Sequence, residues 1–501
     1  MKQNTIRYFK PVYITTLQKE EIGDAIVPDS SPDIAQVIST SGLACIKDKY
    51  IRDGMVEVSG VIKATILYTP EGMSGLRRIT INLPFSHGVD HADIAGEVIA
   101  NVMPSVIAAE TRLLNSRKVQ VTVTLSLGIE VLTLTDCHIT HGVEDESLHI
   151  LTQTQSACVP VAAREKDFVV QEEVELPSSK PPIEELLHVS VTPTARDINV
   201  IGNKLVFKGI AALSMLYTAP DSTAVHTFAQ DVAFSQIVEM DGMEEACHSS
   251  VDLQLTGLEL DVRTGMSLDT RILGITLPMV AFAKAHSELH IETLTDAYSI
   301  TQDCALTHAA YTFSQVDERQ GQHVAVREQI ETGVGVAAVY DTSVVLGAPE
   351  YQHVDGKMVA YCEAHVRVLY AHDDGGYATA TRRVAVTCPL DDDNWELAVS
   401  AASDVSAAAT QEGLELRFGV DFNLTKSREV TISTVSNIEL TDFAEDAAPR
   451  PSVVLRRAVA GEQLWDIAKT YKTTITDIQA ANALENDVMT ADAMLLIPKR
   501  R

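Results

Sequence analysis

Gly60-Val-Ile-Lys-Ala-Thr-Ile-Leu-Tyr68 decides the fold. Ile62, Ala64, Ile66 and Tyr68 alternate with Lys63 and Thr65, so one face is apolar and the other polar. A period of two with one wet face predicts an antiparallel strand that buries a single side. The stretch recurs as Gly209-Ile-Ala-Ala-Leu-Ser-Met-Leu-Tyr217 and as Cys362-Glu-Ala-His-Val-Arg-Val-Leu-Tyr370. In the last copy Ala364, Val366, Val368 and Tyr370 stand opposite Glu363, His365 and Arg367.

The flanks recur with it. Asp53-Gly54, Gly202-Asn203 and Asp355-Gly356 precede the copies, and such pairs permit the positive φ of a tight hairpin. Phe85 in Pro84-Phe85-Ser86 and Phe234 in Ala233-Phe234-Ser235 each fall seventeen residues after the tyrosine. Copy three has Cys388-Pro389 near that place, and its first position is Cys362 rather than glycine. A long alternating strand closes a copy: Val119, Val121, Val123, Leu125, Leu127, Ile129 and Val131 in the first, Leu414 to Leu424 in the third. The tyrosines lie 149 and 153 residues apart. Solenoid repeats have periods of roughly 20–50 residues, so these are repeated domains or half-domains.

Length and charge set the outer limits. A chain of 501 residues is expected to hold several domains. Net charge is −30, and residues 452–501, with seven basic and six acidic side chains, contribute +1. An acidic body of this size argues against nucleic acid and anionic membranes as partners. Plain solubility is the simplest reading, with a basic partner surface as the alternative. The start, Met1-Lys-Gln-Asn-Thr-Ile-Arg-Tyr-Phe-Lys10, has no apolar signal core, and no run approaches the ~18 apolar residues of a membrane span. Seven scattered cysteines without a CxxC pair read as free thiols in a reducing compartment.

Taken in order, residues 1–25 are expected to form one or two strands. Pro28-Asp-Ser-Ser-Pro-Asp-Ile34 opens the first repeat and Pro177-Ser-Ser-Lys-Pro-Pro-Ile183 the second, each as a rigid lead-in to a short helical turn or strand. Residues 131–175 read as further short strands. Leu289-His-Ile-Glu-Thr-Leu-Thr-Asp-Ala-Tyr298 echoes Leu148-His-Ile-Leu-Thr-Gln-Thr154. The expected division is 1–175 for the N-terminal segment and repeat one, 176–329 for repeat two and 330–443 for repeat three. A linker at 444–452 and a final module at 453–501 follow. The fold class is mainly β: three related antiparallel sandwich-like units followed by a small α+β domain.

In the last module Val454–Val459 reads as a strand. Leu464, Ile467, Ala468 and Tyr471 share one helical face. Thr474-x-x-Asp477 is a capping-box-like start for a second helix, and Met494-Leu-Leu-Ile-Pro498 returns as a strand. Trp465 is read as core of this small fold, with a partly exposed aromatic beside a binding surface as the alternative. Tyr68, Tyr217 and Tyr370 are expected to be structural, with hydroxyls reaching the sheet edge.

Catalytic motifs are scarce. The sequence has no G-x-x-x-x-G-K-[ST] loop and no G-x-S-x-G elbow. His87, His91 and Asp93 cluster in what reads as a loop, and His138 and His141 lie three apart, but neither spacing is a standard zinc pattern. Asp391-Asp-Asp-Asn394 lacks the glycine and distal glutamate of a calcium loop. No enzyme, metal site or cofactor is expected.

The proline lead-in, DG turn, L-Y strand, P-F-S and late valine-rich strand together resemble the SPOCS domain of endospore-forming bacteria over most of residues 26–443. G-x-x-L-W-x-I-A at 461–468, Asn482 and L-x-I-P at 495–498 resemble a LysM domain. The combined order is similar to SipL-type spore-coat morphogenetic proteins. That resemblance implies a non-enzymatic structural adaptor of the mother-cell cytoplasm, recruited to the forespore surface by binding a coat-basement ATPase of the SpoIVA type. It also implies contacts with other coat proteins. The alternative is a peptidoglycan or chitin-type glycan binder.

In the LysM family the sugar groove lies between the strand-to-helix loop and the loop after the second helix. The resemblance places the partner- or glycan-binding residues at Gly461, Glu462, Gln463 and Leu464, and at Asn482, Ala483, Leu484 and Glu485. Glu462-Gln463 stand where the family has Asp-Thr or Asp-Ser, so the usual hydroxyl is missing. Asp492 stands where glycine is usual. Leu464 and Leu484 are expected as apolar anchors with a polar rim, which suits a protein surface at least as well as a sugar.

Overall fold

The computed structural model describes residues 1–243, 247–264, 269–392, 394–399, 402–411, 413–443 and 453–498. The expected linker at 444–452 and Asp393 lie outside them. The first unit comprises β1 (Lys2–Ile26), β2 (Ile34–Arg52), β3 (Met55–Pro70), β4 (Arg77–Asp90), β5 (Val98–Asn115) and β6 (Lys118–Gly142). Its sheets β2-β3-β4 and β1-β6-β5 close over one core, with Ile62, Ile66 and Tyr68 from the first facing Val121, Leu125 and Ile129 from the second. The period-two alternation builds this sandwich: each strand has one apolar face, and two such faces must cover each other.

The second unit repeats the order with β7 (Leu148–Glu175), β8 (Glu185–Ile201), β9 (Lys204–Thr218), β10 (Val225–Glu239), β11 (His248–Leu255), β12 (Glu259–Arg263) and β13 (Ile272–Ser299). The third has β14 (Gln302–Glu331), β15 (Val336–Leu346), β16 (Glu350–Val354), β17 (Lys357–His372), β18 (Tyr377–Pro389), β19 (Trp395–Val399), β20 (Ser403–Thr410) and β21 (Gly413–Asp442). In each unit a strand ending in Leu-Tyr lies at the centre of one sheet, and the first and last strands pair along their whole length in the other.

Those long pairs serve twice. One half closes the unit's own sandwich, and the other runs on as a two-stranded ribbon. A bulge marks the change-over in all three, at Pro11/Tyr13, Ala285/His286 and Val316/Glu318, where an extra residue sharpens the local twist. The ribbons then meet, and Tyr8, Cys137, Val159, Ile291, Phe313 and Ile432 form one buried cluster drawn from six strands. Residues 131–175 are therefore not a series of short strands. β6 runs unbroken to Gly142, and the second half of β7 supplies Phe168, Val170 and Val174 to the second core. Likewise Ile330, at the end of β14, belongs to the third core. Core packing thus groups 148–175 with the second unit, not the first as expected. The ribbon halves are polar on one side throughout, so no turn signal marks where a core begins.

Register places the three tyrosines alike. Tyr68 lies between Val37 and Arg77, Tyr217 between Leu186 and His226, and Tyr370 between Val339 and Ala378. Each is buried in its own core, while the preceding Leu67, Leu216 and Leu369 point the other way into a second shared cluster. A register shift on the neighbouring strand, between Val37/Ser39, Leu186/His188 and Val339/Asp341, leaves Ile38, Leu187 and Tyr340 unpaired and turned into that cluster. Beside it lies a polar group: Arg367 donates to the Thr40 carbonyl at 2.8 Å and pairs with Asp341 at 3.3 Å, and Ser41 meets His188 Nδ1 at 3.3 Å.

The departure of copy three has a packing reason. Gly60 pairs with Phe85 and Gly209 with Phe234, and a Cβ on Gly209 would come within 2.2 Å of the Phe234 ring. In the third unit Cys362 faces Val386, so the thiol fills the space the aromatic gives up. Changing Gly209→Cys alone is expected to cost about 1–3 kcal/mol, the usual scale for overpacking. Adding Phe234→Val is expected to recover most of it, and a double-mutant cycle by denaturant titration reads the coupling.

Two buried histidines set a pH dependence. Burial pushes His188 down to about 4, with Arg367 and Arg78 acting the same way, and burial with Lys284 and Arg319 pushes His286 down to about 4. Between the ordinary value near 6.5 and about 4, the unfolded chain takes up protons that the folded chain refuses. Stability is present above that window and falls as pH drops through it, by up to about 1.4 kcal/mol per pH unit for each histidine. Melting temperatures measured from pH 7 to 4.5 are expected to fall less steeply in His188→Gln, provided that variant retains the native fold at neutral pH.

Candidate binding surface of the C-terminal module

The last module is β22 (Val453–Ala458), α1 (Leu464–Tyr471), α2 (Ile475–Asn482) and β23 (Ala493–Pro498). Leu464, Ile467, Ala468, Ile478, Leu495 and Ile497 fill its centre, as the helical face predicts. Thr474 caps α2 by accepting from the Asp477 amide at 3.0 Å. Gln463 stands at the α1 N-cap without a side-chain bond, so the missing hydroxyl leaves that helix end uncapped.

The predicted site residues divide by what holds them. Leu464 is 0% exposed, so it supports its loop from beneath and presents no side chain to a partner. Asn482 donates to the carbonyls of Ile478 at 2.8 Å and Leu496 at 2.7 Å and accepts from the Leu496 amide at 2.7 Å, which commits its amide to joining α2 to β23. Glu462 pairs with Arg456 and accepts from the Val459 amide. Gly461, at φ +87°, donates to Met489 O at 2.8 Å, and Met489 donates back to Glu462 O at 2.9 Å. These bonds zip the two loops side by side, with Gln463 bridged to Val488. Gly461, Gln463, Ala483 and Glu485 remain exposed, and Leu484 is half-buried against the core. Val459 at 51% and Val488 at 44% exposure add apolar surface at the same loops. Sequence reasoning missed both, because an isolated valine in a loop carries no pattern.

The α1 face of the module is occupied by the body. Trp465 Nε1 donates to Asp296 at 2.8 Å, and Lys469 reaches the same carboxylate at 2.6 Å. Tyr298 packs edge-on to Trp465 with ring centres 4.9 Å apart and donates its hydroxyl to Thr473 O at 2.9 Å. Burial pushes that phenol up to about 12, so it stays a donor across the physiological range. Lys472 pairs with Asp303 at 3.2 Å. Trp465 is thus a core residue whose polar edge forms the seam with the body. The Asp296-Ala-Tyr298 end of the sequence echo is its other half, a role the echo alone did not reveal.

Three of the four histidines considered as metal ligands hold other partners, while His141 Nδ1 is buried without a hydrogen bond. His87 lies on β4, not in a loop, and meets Glu21 at 2.5 Å; His91 lies against Tyr13; His138 bonds Thr5 at 3.1 Å. Asp391 accepts from Trp395 Nε1 at 2.6 Å. Among the described residues no group of three or more possible ligands converges.

Charge-assisted bonds are worth about 1.5–3 kcal/mol when shielded, and the partial exposure of Lys469 discounts its share. Asp296→Ala is therefore expected to loosen the module from the body by about 1–2 kcal/mol without unfolding either. Red-shifted tryptophan emission and faster cleavage between body and module would register the loosening.

Comparison with known families agrees with this architecture. Residues 33–114 and 182–263 match the SipL, SPOCS domain, and 458–498 match the LysM domain. The two SPOCS matches are offset by 149 residues, the spacing of Tyr68 and Tyr217, while 330–443 lies outside the matched segments. No curated protein and no solved structure matches the chain. The chain is accordingly one that carries SipL-type SPOCS domains with a LysM domain at its C-terminal end.

Proposed function

We propose that the protein is a non-enzymatic adaptor of endospore formation. In this reading it links coat assembly to the forespore surface through its LysM module, which binds a coat-basement ATPase of the SpoIVA type. The carrying observation is the orientation of the module. Its α1 face is spent on Asp296 and Tyr298, whereas the loops at 461–463 and 483–488 face outward with an apolar and amide surface. A half-buried leucine and two exposed valines on the same loops, with acidic groups among them, suit a protein surface. The two matched families are binding domains, and no helix of the described residues is long and apolar enough to cross a membrane. The acidic body would then keep the other coat proteins it gathers selective for basic surface.

The LysM match itself favours the second reading, a peptidoglycan ligand at the same loops. Calorimetry of the full chain separates the two. The ATPase is expected to bind, and Leu484→Ala to weaken that complex by about 1–2 kcal/mol, the scale of truncating an interface anchor. Chito-oligosaccharide and peptidoglycan fragments are expected to bind weakly or not at all. Micromolar glycan binding abolished by Gln463→Ala, without ATPase binding, would select the wall reading. A fluorescent fusion gathering around the forespore in a sporulating cell tests the location.

A further inference from the structure

In the first two units a proline loop closes the end of the sandwich, and both loops are built alike. Tyr68 donates its hydroxyl to Pro32 O at 3.1 Å, and Tyr217 donates to Pro181 O at 3.1 Å. Ser31 N bonds Pro28 O and Lys180 N bonds Pro177 O, each at 2.9 Å. One arginine clamps each loop from the closing strand's start. Arg117 donates to Val27 O, Pro28 O and Asp33, and Arg271 donates to Pro177 O and Lys180 O. The loop's two apolar ends are buried, Val27 and Ile34 in one unit, Leu176 and Ile183 in the other.

The third unit lacks all of this. Register places Glu331, Glu175 and Ile26 at one position, each beside the first residue of the closing strand. Seven residues separate that position from Ile34 and Ile183 in the first two units, but only Thr332-Gly-Val-Gly335 separate it from the half-buried Val336 in the third. No proline is present, Thr332 stands where Val27 and Leu176 are buried, and the sequence has Glu412 where the arginine would be. What remains is an open cleft of about 590 Å³ lined by Ile330, Glu331, Thr332, Tyr370, Thr381 and Arg382. The Tyr370 hydroxyl has no hydrogen-bond partner among the described residues.

We propose that this cleft binds an extended, proline-containing segment of a partner protein, seated as the first two units seat their own loops. The third unit keeps part of the receiving side without the arginine clamp: an unpartnered tyrosine hydroxyl at the cleft, an apolar wall at Ile330, and polar strand edges. Proline suits the place because its fixed φ leaves little backbone freedom to lose on binding. The site is separate from the LysM loops, so a single chain holds two partners at once. The segment's own charge is set by Arg382 and Glu331, which favour a ligand with both signs or neither over a strongly acidic one.

The probe is the chain's own loop. A synthetic peptide of residues 27–34, and a second of residues 176–183, are titrated into the full-length protein by fluorescence polarisation. The cis loops hold their places at the high local concentration that tethering gives, so one peptide is expected per chain. Tyr370→Phe preserves the shape and is expected to weaken binding about 2- to 12-fold, the worth of one neutral hydrogen bond. Replacing residues 332–335 with the seven that the first unit has at 27–33 fills the cleft in cis and is expected to abolish binding. Peptides with every proline changed to alanine, two in the first and three in the second, are expected to bind more weakly. Absence of saturable binding overturns the proposal, as does binding that ignores both Tyr370→Phe and the loop replacement in chains whose melting curves remain cooperative.

Discussion

A single extra residue on one edge strand of each unit joins the three sandwiches face to face, beside the cluster their ribbons share. In a strand, successive side chains face opposite ways, so an unpaired residue is free to leave its sheet's own pattern. Ile38, Leu187 and Tyr340 are those residues, and each turns away from its own core. They meet Leu67, Leu216 and Leu369, which alternation already sends outward beside the buried tyrosines. Without the bulge each of these outer faces would offer its leucine without the second apolar residue. With it, three outer faces become mutually adhesive, and the repeats associate as one body rather than as beads.

The seam so made is deliberately uneven. The residues after the three bulges are Ser39, His188 and Asp341, and only the third unit adds Arg367. That guanidinium is buried and reaches from Asp341 of its own unit to the Thr40 carbonyl of the first. A buried ion pair adds little net stability, because desolvation offsets the attraction, but losing one partner leaves a charge stranded. Three identical faces would dock in any order. A cation whose acceptors outside its own unit lie on the first unit discriminates between arrangements. The Lys284–Glu130 pair at 2.7 Å and the Asn101–Asp252 bond at 2.8 Å do the same between the first and second units.

How much of this could be read from sequence depended on whether a feature repeats locally. The Leu-Tyr strand and the long closing strand follow a period of two, the turn pairs are marked by residues that accept positive φ, and each appears where expected. The module's helices were legible from Leu464, Ile467, Ala468 and the Thr474 cap. The second half of β7 was not, because Phe168, Val170 and Val174 follow a ribbon with the same alternation and no break. The bulges were invisible, since an apolar residue that turns outward looks like any other strand residue. At the candidate site, exposed loop positions were found through family resemblance, while the fates of Leu464 and Asn482 required coordinates. One is buried beneath its loop, and the other is used up by backbone groups at Ile478 and Leu496.

The C-terminal seam decides how the molecule presents its module. Asp296 is shared by an indole and an ammonium, and Tyr298 is bonded to Thr473 and stacked on His149. These contacts come from the far end of the second unit's ribbon, which extends beyond the sandwich only because β7 and β13 outrun it. The ribbon therefore acts as a bracket. It fixes one side of a small domain and leaves the exposed binding loops in a constant orientation. A partner that binds those loops meets a surface already ordered, so less conformational entropy is lost on association than with a freely tethered module. The same long strands that build the hub thus also set the geometry in which the binding loops meet whatever they hold.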